Sequence, residues 1–233
     1  MNSRTLKSYL YEGIVIVASI LVAFALDASW ANYQESRVEQ RILRELQEEF
    51  NSAKARIEFS IAELETVIAA SAELLSALGK DTLALSPDNA LDMTNRILNF
   101  NTLEVPTSVV DSIVASGQVR LVSNSELRKT LAEWPAFISD VRENHDWHRV
   151  ETDEFLVPYL AKYLSIRDAL MLDGDVQFAP GSFDRNLLTM QRDPVFEGRL
   201  IWRINRQQAT LNESKILLEQ TLKLLDLIEA EIG

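Results

Sequence analysis

His145-Asp146-Trp147-His148, followed by Glu151, is the grouping in this chain best suited to chemistry. At spacings of three, His145, His148 and Glu151 share one face of a helix. Two imidazoles and a carboxylate are a donor set for zinc or iron. Di-iron bundles, however, draw Glu-x-x-His motifs from two helices, and these are the only two histidines in the chain. Any further ligands would have to be carboxylates. Both histidines also fall on an apolar stripe, where hydrogen-bonded imidazoles of a core or its rim are the plainer reading and the better fit. No cofactor is implied.

Three other groups compete for a role. Glu12 lies within an apolar stretch and shares a helix face with Ser19, Ala23 and Trp30. Ser19 and Ala23 have the small-xxx-small spacing that lets helices approach closely in a membrane. Glu12 then either contacts a neighbouring protomer or an ion, or snorkels to an interface. Ser116-Gly117 resembles a nucleophile only in isolation, because no Gly-x-Ser-x-Gly frame surrounds it, and it reads as a helix stop. Arg199, Arg203, Arg206 and Lys215 read as a solvated stripe paired with carboxylates on neighbouring helices. No catalytic residue is identified, and the chain does not read as an enzyme.

The element that carries Glu12 is the most decisive feature of the sequence. Gly13 to Leu26 (GIVIVASILVAFAL) contains no charge and covers about 21 Å as a helix. Extended from Tyr9 to Trp30 it reaches about 33 Å, enough for a bilayer core of about 30 Å. Tyr9, Tyr11 and Trp30 are then interfacial aromatics. The rival is a cleaved signal peptide, with Arg4 and Lys7 before the apolar run and Ala23-Phe24-Ala25 as its cleavage pattern. Glu12 and the unbroken helical pattern beyond Ala25 favour a retained anchor. Arg4 and Lys7 favour a cytoplasmic N-terminus, although Arg37, Arg41 and Arg44 pull the other way.

Behind the anchor the pattern is helical throughout. Val38, Ile42, Leu46, Phe50, Ala53, Ile57, Ile61, Leu64, Ile68, Leu75 and Leu78 form one stripe, and Gly79 is its C-cap. No Gly or Pro occurs between Leu26 and Leu78, so one rod of about 105 Å is expected from Tyr9 to Leu78. Ser86-Pro87 starts a helix to about Phe100, and Val105-Pro106-Thr107 starts another that stops at Ser116-Gly117. Gln118 to Val122 is the one stretch that could be a strand. Ser123 and Glu126 read as a capping box. The stripe after it comprises Leu127, Leu131, Trp134, Ile138, Val141, His145, His148, Thr152, Phe155, Tyr159 and Tyr163, with kinks or a break at Pro135 and Pro158. Ser182 caps a short helix to Met190. Asp193-Pro194 opens the last helix, whose core face is Ile204, Leu211, Leu218, Leu222, Leu225 and Ile232, widened by Leu217, Leu224 and Ile228. The expected fold is all-α: a cytoplasmic tail (1–8), a transmembrane anchor (9–30), and an antiparallel helical bundle (31–233) continuous with it.

Composition narrows the partners. Net charge is −12; Arg4 and Lys7 against Glu12 leave residues 1–26 at +1, so the remainder carries −13. Such a domain is repelled by phosphate backbones and by anionic headgroups, which excludes nucleic acid. Without cysteine there are no disulfides and no thiolate chemistry.

Two blocks carry a resemblance. One runs from Tyr11 through Glu12 to Ala23, with Trp30, Arg37 and Glu39 after it. The other runs from Ile113 through Ser116-Gly117 and Asn124 to Arg128, then Leu131 and Trp134. Together they resemble a family of bacterial single-span membrane proteins of unknown function. That family has an E-I-x-x-V-x-x-G-I-L-I-A anchor and an L-x-x-S-G-x-L-x-L-I-x-N-x-x-L-R block. This chain departs from it at Ser19, where the family has Gly, and at Trp134, where it has Tyr. The resemblance implies location and architecture, and no activity: a single-pass protein of the bacterial inner membrane, N-terminus cytoplasmic and bundle periplasmic. The expected role is protein–protein interaction as a homo-oligomer in the bilayer, with or without a second membrane protein. The alternatives are a ligand-sensing bundle with a pocket at Trp134, His145, His148 and Tyr159, and, behind it, a metal-dependent enzyme.

Overall fold

The computed structural model describes residues 3–98, 103–170, 179, 181 and 186–232, with side chains from Glu12 onward. Among these residues helix is the only regular secondary structure, and no strand forms. Helix α1 (Ser3–Ala77) is one unbroken rod of 75 residues, about 112 Å long. The expected continuity through Ala28-Ser29-Trp30 is present, and the helix begins earlier than Tyr9. It ends where expected: Gly79 takes φ 74°, a conformation that Cβ disfavours. The Leu78 amide bonds back to the Leu75 carbonyl at 3.1 Å, and the Gly79 amide reaches the Gln191 carbonyl at 2.9 Å.

Two environments succeed each other along α1. From Gly13 to Leu26 the helix is apolar, with a mean hydropathy of 2.2 in the most apolar window, and none of the described residues covers it. Ile14, Leu21, Phe24 and Leu26 are all exposed. This part is long and apolar enough to cross a membrane. From Val38 onward the same helix becomes the wall of a bundle.

Helix α8 (Pro194–Glu231) packs antiparallel along that wall. Lys215 and Glu65 pair across the two helices at 2.8 Å. Gln40 Nε2 donates to the Glu231 carbonyl at 2.8 Å, so the end of α8 lies at the base of the bundle. Helix α4 (Ser125–Glu151) adds the third long wall. Shorter pieces close the sides: α2 (Pro87–Leu98), α3 (Ser108–Ala115), a 3-10 turn (Gln118–Leu121), a π turn (Thr152–Leu156), α5 (Val157–Leu160), α6 (Ile166–Leu170) and α7 (Leu187–Gln191). One core surrounds Leu43, Phe50, Trp134 and Leu217, with Phe50 and Trp134 edge-on at 5.1 Å. A second, at the far end, surrounds Leu74, Ile97, Leu160 and Phe196.

The inward faces differ from the expected stripes in an instructive way. On α1 the main run of buried positions advances by four or three residues: Ile42, Leu46, Phe50, Ala53, Ile57, Ser60, Leu64, Val67, Ser71 and Leu74. Ile61, Ile68, Leu75 and Leu78 are only half-buried flanks. Ser71 faces inward because its hydroxyl is satisfied by the Val67 carbonyl at 2.8 Å. On α8 the seam is Phe196, Leu200, Arg203, Gln207, Thr210, Ser214, Leu217, Thr221, Leu224 and Ile228. The expected face is right in part: Leu217, Leu224 and Ile228 lie in the seam and Leu211 and Leu225 are buried beside it, but Ile204, Leu218 and Ile232 only flank it and Leu222 points outward. The middle of the true seam is polar, so a search for apolar residues passes over it.

Caps and prolines bring further corrections. Asp193 caps α8 as expected, its Oδ1 accepting from the Val195 amide at 2.8 Å. Ser86 Oγ accepts from the Asn89 amide at 3.2 Å at the start of α2, whose expected end at Phe100 lies outside the described residues. Helix α4 is capped by Asn124, whose Oδ1 accepts from the Glu126 and Leu127 amides at 3.0 Å each. Ser123, the expected cap, is instead taken by the Glu39 carboxylate through its amide and its hydroxyl. Gln118–Val122, the one stretch whose sequence could also suit a strand, holds the 3-10 turn, entered through Gly117 at φ 72°. Ser182 lies outside the described residues; α7 is capped by Asn186. Helix α4 runs through Pro135 without a break. Pro158 is met by the π turn, which moves the carbonyl four residues back out of the ring's way. The extra residue rotates the stripe, turning Phe155 outward and Leu156 inward.

Candidate functional site

The centre of the bundle is a buried polar seam between α4 and α8. His145, His148, Glu151 and Thr152 face Arg203, Gln207, Thr210 and Ser214, and all eight are buried. Arg203, expected on a solvated stripe, is 1% exposed. It pairs with the Glu151 carboxylate through Nη1, which also donates to Thr152 Oγ1 at 3.1 Å. Its Nη2 donates to the Ile97 carbonyl at 2.8 Å, near the end of α2. One guanidinium thus joins α2, α4, the π turn and α8. This is the fixed fork geometry that arginine offers and lysine does not.

The imidazoles continue the seam. His148 Nε2 lies 2.8 Å from Thr210 Oγ1, and His145 Nε2 lies 3.4 Å from Ser214 Oγ. Burial drives the His148 pKa down to about 3, and the charges of Arg203, His145 and Arg206 add to the shift. The ring is therefore neutral at ordinary pH. Burial pushes the Glu151 carboxyl up and the Arg203 guanidinium down, and each charge opposes the shift of the other. Gln207 Oε1 and Arg203 Nε are buried and make no hydrogen bond among the described residues.

His145, His148 and Glu151 do share one face, as their spacing requires. Each is aimed at a different group on α8, and among the described residues no group of three or more His, Asp or Glu is arranged to hold a metal ion. His145, His148 and Tyr159 are buried in packed protein, while Trp134 borders a shallow surface groove with Phe137 and Ile216. Chemically the seam can fix register and exclude water; it presents no exposed acid, base or nucleophile.

Outside the seam, Arg199 and Arg206 do not pair with carboxylates among the described residues. Arg199 lies over Tyr159 at 5.5 Å and over Phe155 at 5.9 Å, and Arg206 lies over Trp147 at 4.7 Å. Lys215 does pair, with Glu65. Ser116-Gly117 ends α3 as expected. On the apolar segment, Glu12, Ser19 and Ala23 are exposed along one face, and Ser19 Oγ returns to the Val15 carbonyl at 2.8 Å. Trp30 lies 5.9 Å from Tyr33 with the two rings tilted, and Arg37 lies over the Tyr33 ring. The side chains of Tyr9 and Tyr11 lie outside what the structure describes.

Two residues with structural roles were missed in the sequence. Glu49 on α1 is buried and accepts from Ser108 Oγ at 2.9 Å and from the Val109 and Val110 amides at 2.7 and 3.1 Å. It caps α3 from another helix. Glu39 holds Ser123 in the same manner. Caps supplied across the fold leave no local pattern, so spacing could not reveal them. The seam itself had one signal: Arg203, Gln207, Thr210 and Ser214 continue the four-three spacing of Phe196 and Leu200. Searched against known proteins, the chain matches no family model, no curated protein and no solved structure.

Proposed function

We propose that this chain is a single-span membrane protein whose bundle works through protein–protein contact, as a homo-oligomer. The observation that carries the proposal is the uninterrupted passage of α1 from an uncovered apolar segment into a packed core. An apolar helix with no partner in its own chain is stable in lipid or against another copy. The seam is built for register and offers no reaction centre, which supports a structural role over catalysis. Arg4 and Lys7 orient the N-terminus to the cytoplasm, and the resemblance of the Tyr11–Ala23 and Ile113–Trp134 blocks supports the bacterial inner membrane with a periplasmic bundle. In this setting Glu12, Ser19 and Ala23 line the helix face that contacts another anchor, and Trp30 marks the outer interface.

Light scattering of the detergent-solubilised chain, with crosslinking in membranes, tests the reading. A defined oligomer is expected; a strictly monomeric mass that crosslinking leaves unchanged overturns it.

A further inference from the structure

The outward side of α8 changes character halfway along. Its exposed side chains from Ile201 to Asn212 are Ile201, Trp202, Asn205, Gln208, Ala209 and Asn212, and none is charged. Beyond them the exposed positions include Lys215, Glu219, Lys223, Asp226 and Glu229. The uncharged part borders a groove of about 470 Å³ between α8 and α1, floored by half-buried Leu75 and Ile204. Ile201 is 50% and Trp202 60% exposed, large apolar groups left facing water.

We infer that this charge-free face is where a second copy of the chain docks, with both anchors entering the same membrane. The inference rests on the membrane-anchored oligomer proposed above. Charge selects the occupant. Each copy carries −12, so two copies repel, and they repel least where no exposed side chain bears charge, as on this face. Size selects it too. Twelve residues of helix and a width of two helices give on the order of 400 Å² per copy, at the weak end of interfaces. A soluble partner would bind such a face poorly. A copy held in the same bilayer by a parallel anchor gains affinity from effective concentration. Trp202 and Ile201 supply the apolar anchors that interfaces favour, and the amides of Asn205, Gln208 and Asn212 can pair across a two-fold axis.

The absence of native cysteine makes the test clean. Full-length chain carrying Asn205→Cys or Ala209→Cys is treated in membranes with a short bis-maleimide, beside Arg149→Cys on the exposed side of α4. The groove variants are expected to give about tenfold more covalent dimer than Arg149→Cys, and adding Ala209→Glu to Asn205→Cys should remove that dimer by placing like charges together, with helicity unchanged. An oligomer by light scattering whose crosslinks form equally well through Arg149→Cys, or not at all through the groove, overturns this interface and leaves the oligomer standing. A monomer throughout overturns both.

Discussion

Arg203 is held by more of the molecule than any other charged side chain in the seam, and its energetics are lopsided. Replacing a buried ion pair with apolar groups of similar size is often neutral, whereas removing one partner strands the other in low dielectric. Arg203→Met alone is therefore expected to destabilise the fold by about 3–5 kcal/mol, and Arg203→Met with Glu151→Leu to recover most of that loss, as read from denaturant melts. His148 makes a separate prediction. Its folded pKa of about 3 lies below the ordinary 6.5, so the unfolded chain binds the extra proton between those values. The stability this ring contributes is complete above pH 6.5 and falls as the pH drops toward 3. The slope is at most about 1.4 kcal/mol per pH unit, so about 2 kcal/mol separates pH 6.5 from pH 5. Melts of wild type and His148→Gln should diverge by that amount over this interval, and parallel curves would show that the ring does not titrate as its burial dictates. Polar residues of this kind were the hardest to foresee. The positions of His145 and His148 on the α4 stripe were legible because apolar neighbours outline it, while Arg203 and Gln207 lie among polar residues and only a complementary seam on α4 turns them inward.

At the scale of helices, much was legible where local chemistry decides the outcome. The absence of Gly and Pro made α1 one rod, Gly79 stopped it, and Asp193-Pro194 opened α8. The π turn and α6 were not legible: one arises from a proline four residues beyond a carbonyl, and the other is five residues long, too short for periodicity to register. The Asn124 cap was missed for another reason, since only the Glu39 carboxylate on α1 draws Ser123 away from the capping position. The continuity of α1 carries its own expectation. Ser29→Pro removes a backbone donor and costs a helix interior about 3 kcal/mol, so the rod should hinge there while the bundle stays folded. Spin labels on either side of position 29 should then give a broad distance distribution where the parent gives a narrow one. An unbroadened distribution would mean that the helix absorbs the proline.

For the whole molecule, the balance is between a repulsive net charge and an uncharged outer face. If copies meet at the uncharged face of α8, salt screens their mutual repulsion without weakening the contact, and crosslinked dimer should increase as ionic strength rises from about 0.02 to 0.2 M. A contact built on ion pairs would weaken over the same range. The straightness of α1 has another consequence. From Trp30 to Ala77 the rod extends about 70 Å, and α8 is stapled along most of that length. If Trp30 lies at the membrane interface, as proposed, the corner where α7 meets α8 stands at a set height above that plane. A rod so placed would work as a gauge, setting the distance from the bilayer at which a partner could engage its tip.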